Sequence, residues 1–279
     1  MKKRVITAAI MLAIFLPIMF IGKIYMVLLV SALAYVGTFE LIRMFSIKDS
    51  DLFRYRYTVP ILSVLGVFAV YFSTITEYNL LVPYLVLTFL IITSIPVIKH
   101  KRLADNSLYL LFAVFYGGIM IALATSNRFL DDGLKKFIYI LLTVTMTDTF
   151  AFFVGITMGK RKLAPTISPK KSIEGSIGGT FFGTIIPTLY VLLADVALFG
   201  DLDGPTRTIL VIVSTFILTI VVQIGDLVAS KIKRAYEIKD FGQLFPGHGG
   251  VMDRFDSLIF AGATFYVVHS VIEMVQALL

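Results

Sequence analysis

Apolar residues dominate nine long runs of the chain, at about 5–22, 25–42, 57–73, 80–98, 107–126, 137–158, 176–199, 208–229 and 257–278. Most have close to the roughly 20 residues that a helix needs to cross the hydrocarbon core of a bilayer. The pattern predicts an all-α, polytopic membrane protein with about nine transmembrane helices. Lys2, Lys3 and Arg4 give the first run a basic start. "FLPIMFIGK" offers no small-residue cleavage site, so this run is read as an uncleaved span and not a signal peptide.

Composition agrees. Of 279 residues, 58% are hydrophobic and 15% charged, more apolar surface than a domain facing water can hide. The basic residues are distributed unevenly. With nine spans, one face carries Lys2, Lys3, Arg4, Arg43, Lys48, Arg54, Arg56, Lys99, Lys101 and Arg102. The same face carries Lys160, Arg161, Lys162, Lys170, Lys171, Lys231, Lys233, Arg234, Lys239 and Arg254. The other face has Lys23, Arg128, Lys135, Lys136 and Arg207. Basic residues mark the cytoplasmic side, so the N-terminus is expected inside the cell (inner) membrane and the C-terminus outside. The net charge of +7 is mostly juxtamembrane, which points to membrane lipid and phosphate-bearing substrates and away from nucleic acid. The absence of cysteine excludes disulfides and thiolate metal sites. The absence of Trp leaves Tyr and Phe to furnish any interfacial belt.

Two regions differ in character. Residues 1–130 alternate spans with short basic loops and read as a scaffold of N-terminal transmembrane helices. Glu40, near the end of the second span, reads as a partner for Arg43 one helical turn away. Residues 131–279 hold the polar groups that a membrane segment should avoid. They read as a C-terminal catalytic region with cytoplasmic loops 159–175 and 230–256.

Three clusters there can carry chemistry. Asp148 lies inside the sixth run, where a carboxylate is costly unless it faces a cavity, a cation or a base. Behind it, "GKRKLAPTISPKK" places five basic residues within twelve positions, with two prolines that rule out a regular helix. Its surplus of charge, with Ser168 and Ser172 interleaved, suits an anionic headgroup or triphosphate. "GITMGKR" lacks the spacing and the hydroxyl of a P-loop. In "GDLVASKIKR", Asp226, Ser230 and Lys233 share one helical face, a carboxylate for a cation above a base for a phosphate. In "FPGHGGVMDRFDS", Gly247, Gly249 and Gly250 permit a tight turn whose N–H groups can receive an anion. Asp253 and Asp256 follow three residues apart. Carboxylates beside phosphate-binding groups are what Mg²⁺ requires, since it shares the oxygens of its substrate. The combination points to metal-assisted phosphoryl or nucleotidyl transfer.

"SKIKRAYEIKDFGQLFPGHGGVMDRFD", Ser230 to Asp256, resembles the signature of phosphatidate cytidylyltransferases, or CDP-diacylglycerol synthases. "DTFAFFVGITMGKRKLAPTISPKKSIEG" and "GDLVAS" are similar to secondary motifs of that family. The chain departs from the pattern at Ala229, where Glu is frequent, at Phe152, where Tyr is, and at Lys170 and Ile173 in "SPKKSIEG". The resemblance implies that CTP and phosphatidate are converted to CDP-diacylglycerol and pyrophosphate in phospholipid biosynthesis, at a site facing the cytoplasm. It implies Mg²⁺ on Asp226 and Asp253, with Asp148 and Asp256 close by, and suggests a second cation such as K⁺. Lys233, Arg234, Lys239, Gly247, His248, Gly249 and Gly250 would hold the CTP phosphates. Ser168, Lys170 and Lys171 would hold the lipid phosphate. Gly175, Gly179 and Gly183 form a small-residue stripe that permits close helix contact, within the chain or across a homodimer. A CTP-dependent lipid-alcohol kinase needs similar groups but releases CDP. A secondary transporter fits less well, because residues 1–130 hold no counterpart of Asp148 or Asp226.

Overall fold

The structure, a computed structural model, describes residues 2–98, 103–200 and 204–278. They form ten α-helices and one small hairpin: α1 (Lys2–Ile21), α2 (Lys23–Phe45), α3 (Val59–Ile75), α4 (Leu81–Ile98), α5 (Leu103–Val114), α6 (Met120–Ser126), α7 (Gly133–Met158), β1 (Lys162–Ala164), β2 (Ser168–Ser172), α8 (Ile173–Leu193), α9 (Gly204–Ala235) and α10 (Met252–Leu278). Helices dominate because only they satisfy every backbone polar group within one membrane-crossing segment, short of a closed barrel. Among the described residues, six helices are long and apolar enough to cross a membrane: Lys23–Phe45, Asn106–Phe129, Gly133–Met158, Ile173–Leu193, Gly204–Ala235 and Met252–Gln276. Shorter apolar helices at Val5–Ile21, Val59–Ile75 and Leu81–Ser94 occupy the other expected positions. The protein is an all-α, multi-pass membrane protein. Large apolar side chains such as Phe89, Leu90, Phe216 and Ile217 point outward, as a lipid-facing surface requires. Lys99, Lys101 and Arg102, which count towards the expected orientation, lie outside the described residues.

Two expected spans differ in detail. The fifth is not one regular α-helix: a wider π turn over Phe115–Ile119 separates α5 from α6. It falls where Gly117 and Gly118 bring their backbone against α2 and α3. A Cβ on Gly117 would lie 2.8 Å from the Thr38 nitrogen, and one on Gly118 would lie 2.6 Å from Ser63 Cβ. The eighth runs on to Ala235, so the basic segment that opens the next loop is still helical.

The chain forms two compact units. One comprises the residues up to Leu130 together with Ala235–Phe255; the other comprises Asp131–Arg234 and the residues from Asp256 onward. The division thus passes through the first turns of α10, and residues 235–255 group with the N-terminal helices. In the first unit, Thr38 Oγ1 lies 2.6 Å from Ser63 Oγ and donates to the Ala113 carbonyl, tying α2 to α3 and α5. Arg128 donates to the carbonyls of Met19 and Phe20, which satisfies the C-terminal end of α1.

The second unit is built from α7, α8, α9 and α10. Here the glycine stripe packs within the chain, against α7. A Cβ on Gly175 would lie 2.6 Å from the Ala151 carbonyl oxygen, and one on Gly179 would lie 2.7 Å from that of Thr147. Gly179→Leu is therefore expected to force the two helices apart at a cost of about 1–3 kcal/mol, read as a lower thermal midpoint in detergent. Ser176 donates to Gln223 and Gln223 donates to Thr180, joining α8 to α9. Tyr139 on α7 lies 2.8 Å from Thr215 Oγ1 on α9 and packs edge-on against Phe265 on α10. Lys136, almost fully buried, donates to His269 Nε2 at 2.7 Å, and His269 Nδ1 lies 3.3 Å from Glu273.

Candidate active site

In the second unit the charged residues singled out by the sequence come from four elements. Asp148 projects from α7, Lys171 from β2, Asp226 and Lys233 from α9, and Asp256 from α10. Local sequence explains how each is presented. Ser172 caps α8, its hydroxyl accepting from the Gly175 N–H at 3.1 Å. Glu174, in the first turn, accepts from the N–H groups of Lys160 and Arg161 at 3.0 and 3.1 Å. This pins the start of the 160–172 hairpin to the helix that follows it. Along β2, Lys170 is exposed and Lys171 half-buried. Because α9 continues to Ala235, the Asp226–Ser230–Lys233 face is one continuous helical stripe.

Lys171 Nζ is ion-paired with Asp226 Oδ2. Asp226 is close enough to repel both Asp148 and Asp256. Lys171 in turn attracts Asp148, and Lys233 attracts Asp256. Three carboxylates and two ammonium groups thus act on one another. Like charges gathered beside lipid need a cation, and Lys171 already supplies one at Asp226. Asp226 is half-buried, and Asp148 is exposed at the surface of the chain. Ser168 is half-buried on the hairpin; Arg234 is exposed beyond Lys233.

The remaining predicted residues lie in the first unit. The segment 245–250 forms a tight turn: Phe245 N–H donates to the Gly249 carbonyl at 2.9 Å, and His248 N–H to that of Phe245 at 2.8 Å. Gly247 and Gly249 have φ of 78° and 88°, the left-handed region that other residues resist. The expected anion-receiving turn is partly filled by the protein's own carboxylates. Asp253 Oδ2 accepts from Phe241 and Gly250, at 2.7 and 3.0 Å. Glu40 accepts from Val251 through Oε1 at 3.0 Å and from Met252 through Oε2 at 3.1 Å. Among the described residues, the buried Nδ1 of His248 has no hydrogen-bond partner. Lys239 is exposed nearby in sequence.

Sequence reasoning missed the part that Glu40 plays. Its partners are 211 and 212 positions away, so no local pattern reports the contact. Arg43 does attract Glu40, but both carboxylate oxygens are turned to the backbone of Val251 and Met252.

Among the described residues, no group of three or more His, Cys, Asp or Glu side chains is gathered as a ready-made metal cage. The donors nevertheless suit Mg²⁺ in kind. Mg²⁺ takes hard oxygen ligands, often only one or two carboxylates, and completes its shell with water and substrate phosphate. In this structure the cation that Asp226 faces is the ammonium of Lys171.

Comparison with known proteins agrees with this chemistry. The sequence profile of the Cytidylyltransferase family matches residues 2–272. A Phosphatidate cytidylyltransferase of Bacillus subtilis (strain 168) is 32% identical over 268 residues, covering 93% of this chain and 94% of its own. One of Staphylococcus haemolyticus (strain JCSC1435) is 36% identical over 270 residues, covering 93% and 95%. One of Staphylococcus aureus (strain COL) is 33% identical over 265 residues, covering 93% and 95%. With the match running nearly end to end, this chain belongs to the cytidylyltransferase family.

Proposed function

We propose that this protein is an integral-membrane nucleotidyltransferase that converts CTP and phosphatidate to CDP-diacylglycerol and pyrophosphate. A phosphate oxygen of phosphatidate attacks the α-phosphorus of CTP. A new P–O–P bond forms, the bond between the α-phosphorus and its bridging oxygen breaks, and pyrophosphate leaves with the electron pair. The nucleophile is already anionic, so the barrier is repulsion between two polyanions, and no strong general base is needed. What supports this reading is the Lys171–Asp226 ion pair, with Asp148 and Asp256 within electrostatic reach of Asp226 and Lys233 within reach of Asp256, in a chain of this family.

Mg²⁺ would be held by Asp226 with Asp148 and Asp256, where it would supply Lewis-acid neutralisation of phosphate charge. Asp253 also belongs to the expected ligands. Its Oδ2 also accepts two N–H groups, so its charge is shared with the backbone of the turn. Lys233 and Arg234, with Lys239, His248 and the N–H groups of Gly247 and Gly249, would orient the CTP phosphates. Lys171, Lys170 and Ser168 would receive the lipid phosphate, whose acyl chains stay in the bilayer. The bias of basic residues supports a site on the cytoplasmic side.

The direct test uses purified protein in detergent. Pyrophosphate should appear from CTP only when phosphatidate and a divalent cation are both present. Release of CDP with a newly phosphorylated lipid alcohol would assign a kinase instead. Turnover unaffected by a strong chelator would remove the metal from the account.

A further inference from the structure

We infer that Glu40, on α2, is a positioning residue for CTP: its carboxylate acts as a built-in anion that fixes the turn at 245–250 through the backbone of Val251 and Met252. The inference rests on the reading that this turn meets the CTP phosphates. Glu40 is 3% exposed, and a buried carboxylate is costly unless it is hydrogen-bonded. Here its two oxygens each take one N–H where α10 begins, which are charge-assisted bonds at the positive end of a helix. The loop also closes on it sterically. A Cβ on either Gly242 or Gly250 would fall directly on the Glu40 carboxylate. Two glycines and two N–H groups thus form a seat for one carboxylate. The N–H of Gly250, next to that seat, holds Asp253. Moving the carboxylate therefore moves the turn and Asp253 together. With both oxygens committed, Glu40 touches neither reactant; it acts through the backbone.

Two independent disturbances should give the same kinetic signature. Glu40→Gln places an amide N–H₂ against a backbone N–H and loses one acceptor. Gly242→Ala leaves Glu40 in place but pushes its carboxylate from the seat; Gly242 does not have positive φ, so the backbone itself tolerates alanine. Each should raise KM for CTP about tenfold or more, the equivalent of losing one charge-assisted hydrogen bond. KM for phosphatidate should stay within about twofold of the parent protein, as follows from a fault confined to the turn. In Glu40→Ala the methyl of Gly242→Ala has space, so the double variant should be no worse than Glu40→Ala alone. All variants are compared after size-exclusion chromatography has isolated folded protein. A folded Glu40→Gln with both KM values unchanged, or independent effects of Glu40→Ala and Gly242→Ala, would overturn the positioning role. Coupling between the two with KM rising for phosphatidate alone would keep that role and instead refute CTP binding at the turn.

Discussion

Asp226→Asn should lower the rate of CDP-diacylglycerol formation by about 10²–10³-fold or more, the scale on which loss of one electrostatic group at a reacting centre is felt. Asn matches Asp in size, and the position lies in the uninterrupted helix α9, so the fold has little reason to respond. What changes is charge. Asp226 is the common neighbour of the cluster: it pairs with Lys171 and repels both Asp148 and Asp256. Without it, the proposed cation would lose an oxygen ligand and Lys171 would lose its partner. Pyrophosphate release measures the effect, and circular dichroism with the thermal midpoint checks the fold. A well-folded variant retaining parental turnover would be incompatible with a metal on Asp226.

The second large effect concerns Lys171, and its two readouts should move in opposite directions. In the free protein its ammonium occupies the place beside Asp226 that a cation would take. Lys171→Met should therefore tighten binding of Mn²⁺, used as a spectroscopic probe in the absence of substrates. Two unit charges about 4 Å apart interact by about 4 kcal/mol in an environment of intermediate polarity. Both side chains are 26–30% exposed, and screening reduces this to about 1 kcal/mol, or about fivefold in affinity. Turnover should nevertheless fall by about a hundredfold, because the lysine freed by the metal is the one proposed to receive the lipid phosphate. Electron paramagnetic resonance of free Mn²⁺ reads the first quantity and product formation the second. Weaker Mn²⁺ binding together with lost activity would mean that Lys171 only holds the carboxylates in place.

Much of the fold was legible because the physics of the bilayer is local. A run of about 20 apolar residues declares a crossing wherever its neighbours lie. The six long helices and three shorter ones accordingly fall where hydropathy places them. The residues proposed to carry chemistry were singled out for a related reason: Asp148 and Asp226 stand out by cost, as ionisable groups in apolar segments. The register of the Asp226–Ser230–Lys233 stripe followed from helical spacing.

Other features were hidden because they depend on residues far apart in the chain. The π turn at Phe115–Ile119 is set by how closely Gly117 and Gly118 approach Thr38 and Ser63. The glycine stripe announced a close helix contact but not the partner, which is α7. Glu40 is the clearest case. Arg43, one turn away, offered a sufficient local explanation, whereas the groups that hold the carboxylate lie more than 200 positions downstream. Asp253 carried the same ambiguity: a carboxylate in a signature can bind a cation or a backbone, and its Oδ2 holds Phe241 and Gly250.

Sequence alone therefore marked this chain as one that crosses a membrane many times and singled out the ionisable residues that stand in its apolar segments, since hydrophobic length and the cost of a charge in lipid need no knowledge of neighbours. Which carboxylates face one another, and which are consumed in holding the backbone, was decided by the folded chain. Hydrogen bonds and Coulomb forces act over a few ångströms in space, and the residues they join here lie tens to hundreds of positions apart.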